Sequence, residues 1–85
     1  MSRIREEQDR LTIIILGELR KAELRHGDLL KQTLIRCGSR SKFSMIMRYL
    51  LQHGFIVKSG RRGSRAPYQI TEKGKKQLSI LKSQP

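Results

Sequence analysis

Three arginines fall within five residues, Arg61, Arg62 and Arg65, interleaved with Gly60, Gly63 and Ser64. That composition sets guanidinium groups on a backbone free to follow a groove. Arginine gains from the enhanced negative potential of a narrow minor groove, and the same loop chemistry suits RNA or a single strand. A second set lies upstream. At 100° per residue, Phe43, Ile46, Met47, Leu50 and Leu51 gather on one side of a helix, and Ser41, Ser44, Met45, Arg48 and Gln52 on the other. An α-helix fits the major groove, where arginine can bond a guanine edge through two donors and Gln or Ser can reach bases or phosphates. Arg48 is the leading base-contacting residue. Arg40 and Lys42, at the helix start, suit phosphate oxygens, which position a protein without carrying sequence information.

Chemistry of other kinds finds few materials. No Gly-rich phosphate loop precedes a Lys-Ser/Thr pair, and neither a paired-carboxylate cleft nor a nucleophilic triad is recognisable. Cys37 is the only cysteine, and with His26 and His53 it makes a poor metal set, so it reads as a buried thiol at a helix end. Tyr49 and Tyr68 are too few for an RNA-stacking sheet and read as core or rim packing. The expectation is no enzyme, no cofactor and no metal.

Charge favours the same surface. Residues 1–35 carry seven Lys/Arg against six Asp/Glu, whereas residues 36–85 carry twelve Lys/Arg against Glu72 alone. No acid occurs between Arg36 and Thr71, so Arg36, Arg40, Lys42 and Arg48 stand unopposed in sequence. A one-signed field over half a small domain attracts polyanions: nucleic acid first, an anionic membrane surface second. The apolar run Ile13 to Leu16 is far short of the roughly 20 residues a membrane span needs. Charges at Arg3, Arg5, Glu6, Glu7, Asp9 and Arg10 occupy the place of a secretory signal's apolar segment. A cytoplasmic, nucleoid-associated protein is expected.

The elements that position these residues follow from periodicity and punctuation. At 85 residues the chain forms one domain. Leu11, Ile14, Ile15 and Leu19 predict a first helix from about Asp9, its N-cap, to Ala22; Ile13 and Leu16 widen its apolar face, placing it centrally or against a second chain. Residues 1–8 form an extension, frayed or helical, and residues 83–85 a tail. A second helix spans about Gly27 to Cys37 with Leu29, Leu30, Leu34 and Ile35 apolar, stopped by Gly38. Ser39 or Ser41 caps a third, running to about His53 and closed by Gly54. Phe55 to Lys58 and Pro67 to Ile70 read as strands flanking the basic loop 59–66. Thr71 caps a last helix to about Leu81, which Gly74 weakens by roughly 1 kcal/mol relative to Ala. The fold class is mainly α with a small β-hairpin: a helix-turn-helix, a hairpin wing and a C-terminal helix over residues 9–82.

The string carried by Leu50, Gly54, Phe55, Ile56, Tyr68, Ile70, Thr71, Gly74 and Leu78 resembles the winged-helix DNA-binding domains of archaeal transcriptional regulators and the wider MarR-like and PadR-like groups. The resemblance covers roughly residues 10–82. It implies a recognition helix over about Ser41 to His53 and a wing over about Ser59 to Ala66, and a homodimer on two-fold related half-sites. Ile13, Leu16, Leu78, Ile80 and Leu81 are the candidate dimer surface, although the short last helix carries no sustained heptads.

The expected function is binding of double-stranded DNA as a transcriptional regulator. Contacts would come from Arg40, Ser41, Lys42, Ser44, Met45, Arg48 and Gln52 on the third helix and from Lys58, Arg61, Arg62, Ser64 and Arg65 in the wing. Arg36, Lys73, Lys75 and Lys76 are candidates for further phosphate contacts, the three lysines being equally suited to keeping the last helix soluble. Two alternatives use the same basic surface: an architectural protein that coats duplex DNA with little sequence preference, and a winged-helix module for RNA or protein docking.

Overall fold

The structure, a computed structural model, describes residues 3–58 and 66–83, with side chains from residue 6 onward. The described elements run α1 (Arg3–Lys21), α2 (His26–Cys37), α3 (Arg40–Gln52), β1 (Ile56–Lys58), β2 (Tyr68–Ile70) and α4 (Glu72–Ser83). The protein is mainly helical, with one small two-stranded antiparallel sheet.

Helix α1 is the central element, because its apolar face is wider than one stripe. Leu11, Ile15, Leu16 and Leu19 are all buried, and α1 packs against every other helix and against β2. Its buried Thr12 hydroxyl donates to the Gln8 carbonyl at 2.8 Å, so that hydroxyl is not stranded in the core. The helix begins at Arg3, not at Asp9, which lies inside it and cannot be its N-cap. The run Glu6-Glu7-Gln8 consists of good helix formers, and Glu7 pairs with Arg10 one turn later at 3.9 Å, so nothing at Asp9 interrupts the helix.

Between α2 and α3 the chain turns in two residues. Gly38 takes φ 101°, a left-handed conformation that glycine adopts without steric cost, and its N–H returns to the Leu34 carbonyl at 2.9 Å. Ser39 then caps α3, accepting the Lys42 N–H at 3.2 Å. Leu29, Thr33 and Cys37 face inward on α2. Ile35 does not: it stands about 240° around the helix from Leu29 and is 93 % exposed. Leu51, expected in the core, lies at the edge of α3's apolar face and is 41 % exposed.

Strands β1 and β2 pair Ile56 with Ile70, Val57 with Gln69 and Lys58 with Tyr68. The far side of β2 is also occupied. Leu24, in the α1–α2 connection, exchanges both backbone hydrogen bonds with Tyr68, at 2.8 and 3.4 Å. This bridge ties the connection before α2 to the hairpin, and no periodicity in residues 22–25 announces it. The expected loop residues Arg61, Arg62, Ser64 and Arg65 lie outside the described residues.

Thr71 joins the sheet to α4. Its hydroxyl accepts the Gly74 N–H at 3.0 Å and donates to the Gly54 carbonyl at 2.7 Å, with the Phe55 carbonyl at 3.0 Å as a second acceptor. Helix α4 therefore starts against the end of α3 and the entry to β1. Gly74 is no weak point there: a Cβ would collide with the Phe55 carbonyl oxygen and come within 2.9 Å of Ile70 Cγ1. The residue is absent of side chain because two backbones meet at it.

The candidate dimer surface is mostly interior. Leu16, Leu78 and Leu81 are buried in the protein's own core and Ile13 is half-buried, leaving only Ile80 broadly exposed. The width of α1's apolar face is consumed by α4 and β2 of the same chain. No helix among the described residues is long and apolar enough to cross a membrane.

Candidate functional site

Phe43, Ile46, Met47 and Leu50 anchor α3 in the core and fix its rotation about its axis. The opposite face is thereby committed to solvent. Arg40, Ser41, Ser44, Met45 and Arg48 together line one open depression along it, and Gln52 is exposed at its C-terminal end. Five of the seven expected α3 residues are thus brought to one surface. No described acid pairs with Arg40 or Arg48.

Lys42 behaves differently. Its side chain lies beside Gly38 and its ammonium meets the Glu7 carboxylate of α1 at 2.6 Å. The hydrogen bond and the charge of Lys42 hold the Glu7 carboxyl below its ordinary value. Arg36 is engaged as well, meeting Glu18 at 3.1 Å, while Arg10 donates to the Arg36 carbonyl at 2.7 Å. The stretch without acids in sequence is therefore not without acids in space. Glu7 and Glu18 come from residues 35 and 18 positions upstream, and their effect on Lys42 and Arg36 has no local signature.

Around the hairpin, the other expected contacts separate. Lys73 donates to the His53 carbonyl at 2.7 Å and sits over the Phe55 ring at 5.2 Å, so it closes the C-terminal end of α3. Lys75 pairs with Glu72 at 3.4 Å, and Lys76 is exposed. Lys58 is exposed and lies 5.9 Å from the centre of the Tyr68 ring. Neither tyrosine offers a stacking platform: Tyr68 is buried, and Tyr49 is half-buried against His53 and Phe55. Burial raises the Tyr68 phenol above its ordinary pKa, and the phenol meets His26 Nδ1 at 3.3 Å.

Cys37 is fully buried, and desolvation raises its thiol pKa, which disfavours the reactive thiolate. No cluster of three His, Cys, Asp or Glu side chains among the described residues has the arrangement to hold a metal.

Comparison of the chain with protein-family models, with curated proteins and with solved structures finds no match. The functional reading therefore rests on the residues themselves.

Proposed function

We propose that this protein is a winged helix-turn-helix module that binds double-stranded DNA in the cytoplasm as a transcriptional regulator. Helix α3 enters the major groove, and the Gly/Arg segment 59–66 acts as the wing on the minor groove or the backbone. The observation that carries this reading is the outer face of α3. A helix held rigidly by four core residues presents Arg40, Ser41, Ser44, Met45 and Arg48 together, with no acid among them. A face that merely keeps a helix soluble ordinarily mixes both signs.

Three further features support the reading. Helix α3 follows α2 directly, in the order such modules require. Thr71 and Gly74 have structural reasons to occupy their places in the strand-to-helix pattern that resembles that of archaeal winged-helix regulators. The net charge of +12 supplies a long-range field for a polyanion.

The test is recovery of bound fragments from random duplex DNA by the parent, by Arg48→Ala, and by a variant with Arg61, Arg62 and Arg65 all changed to Ala. Arg48→Ala is expected to relax specificity at one base step, worth about 1–3 kcal/mol. The triple variant is expected to lose affinity evenly across sequences and to show a shallower salt dependence. Equal recovery of specific and scrambled duplexes by the parent would favour the architectural alternative. Parent-like binding by both variants would show that another surface meets the nucleic acid.

A further inference from the structure

Met45 is 53 % exposed, yet it stands inside the depression lined by Arg40, Ser41, Ser44 and Arg48. The fold gives no reason for it. The core face of α3 is complete with Phe43, Ile46, Met47 and Leu50, and a polar residue at position 45 would serve helix and solvent equally well. A thioether among hydroxyls and guanidiniums is suited to a surface that is itself mostly polar and carries an isolated apolar group.

The major groove of DNA is such a surface. Its base edges are mostly donors and acceptors, and the C5-methyl group of thymine, which 5-methylcytosine shares, is the one methyl group among them. Met45 and Arg48 are three residues apart, neighbours on one helix face, and separated by about 4.5 Å along its axis. That is little more than the roughly 3.4 Å between successive base pairs. We infer that Met45 and Arg48 read adjacent base pairs as a unit, the thioether packing on a pyrimidine C5-methyl and the guanidinium bonding the O6 and N7 of the neighbouring guanine. The inference rests on the proposed duplex-binding function and specifies the chemistry that α3 selects: a methylated pyrimidine beside a guanine, supplied by a T–G neighbour pair or by a methylated C–G step.

The experiment uses the full chain and a duplex recovered by it from a random pool, resynthesised with each thymine in turn replaced by deoxyuridine, which lacks only the methyl. Replacement at one position beside a guanine is expected to weaken binding roughly four-fold, the equivalent of one buried methyl group. Met45→Ala binds the thymine and deoxyuridine duplexes equally. Arg48→Ala keeps the thymine preference and loses the preference for guanine. Cytosine and 5-methylcytosine at the same position distinguish the two sources of the methyl. Because Met45 is exposed and outside the core, its variant keeps the parent's melting temperature, which is measured alongside. A parent that binds duplexes but discriminates no thymine from deoxyuridine overturns this inference and leaves the proposed function standing, as does a Met45→Ala variant that still discriminates. A parent that prefers no duplex over a scrambled one overturns this inference together with the regulator reading, in favour of the architectural alternative. A parent that binds no duplex overturns the proposed function itself.

Discussion

Gly74 and Gly17 are both glycines inside helices, and their surroundings give the same substitution opposite signs. A Cβ at Gly17 meets nothing within 4 Å, so Gly17→Ala gains Ala's helix propensity and stabilises the protein by about 1 kcal/mol. At Gly74 the new methyl would enter the Phe55 carbonyl and crowd Ile70. Overpacking of this kind costs about 1–3 kcal/mol and outweighs the propensity gain. Urea unfolding of the two variants should therefore shift the midpoint up for Gly17→Ala and down for Gly74→Ala. Equal shifts would mean that α4 does not pack on the Phe55 backbone as described.

At the scale of elements, the seam between α3, β1 and α4 depends on one hydroxyl. Thr71 Oγ1 caps α4 through the Gly74 N–H and reaches back to the Gly54 and Phe55 carbonyls, while Lys73 closes α3 through the His53 carbonyl. The ends of two helices are satisfied by residues of one tripeptide. Thr71→Val keeps the shape but removes the cap and the donor together. The expected loss is about 1–2 kcal/mol, near the upper end for an N-cap, because a partly buried carbonyl also loses its partner. Thr71→Ser should recover most of it. Thermal unfolding of both variants checks this, and a Val variant as stable as the parent would place the α4 start elsewhere.

Across the whole molecule, the charge asymmetry of the sequence is partly undone by folding. Helix α1 brings Glu7 to Lys42 and Glu18 to Arg36, leaving Arg40 and Arg48 as the cations of α3's outer face without a described acid. The Lys42 contact also makes stability depend on pH. Since the folded Glu7 carboxyl lies below its ordinary value, its contribution is fully present above that value and is lost as pH falls through the lowered one. Glu7→Gln should therefore lose less melting temperature than the parent as pH is lowered through that acidic range. The difference should shrink at high salt, as for any exposed pair. Parallel acid titrations of parent and variant would disprove the contact's role.

The elements were legible in the sequence wherever a local cause sets them. Gly38, Ser39, Gly54 and Thr71 act on backbone groups within a few residues, and apart from Leu51 the inward and outward faces of α3 follow from 100° per residue. The outer-face residues of the candidate site could be named for the same reason. What the sequence could not determine were properties that need two distant segments in contact. Leu16, Leu78 and Leu81 look like spare apolar surface until α4 is laid against α1. Gly74 looks like a flaw until Phe55 approaches it, and Lys42 looks free until Glu7 reaches it. Helix caps and periodicity are short-range effects written in neighbouring residues. Burial, steric exclusion and ion pairing are set by proximity in space, which only the tertiary structure decides.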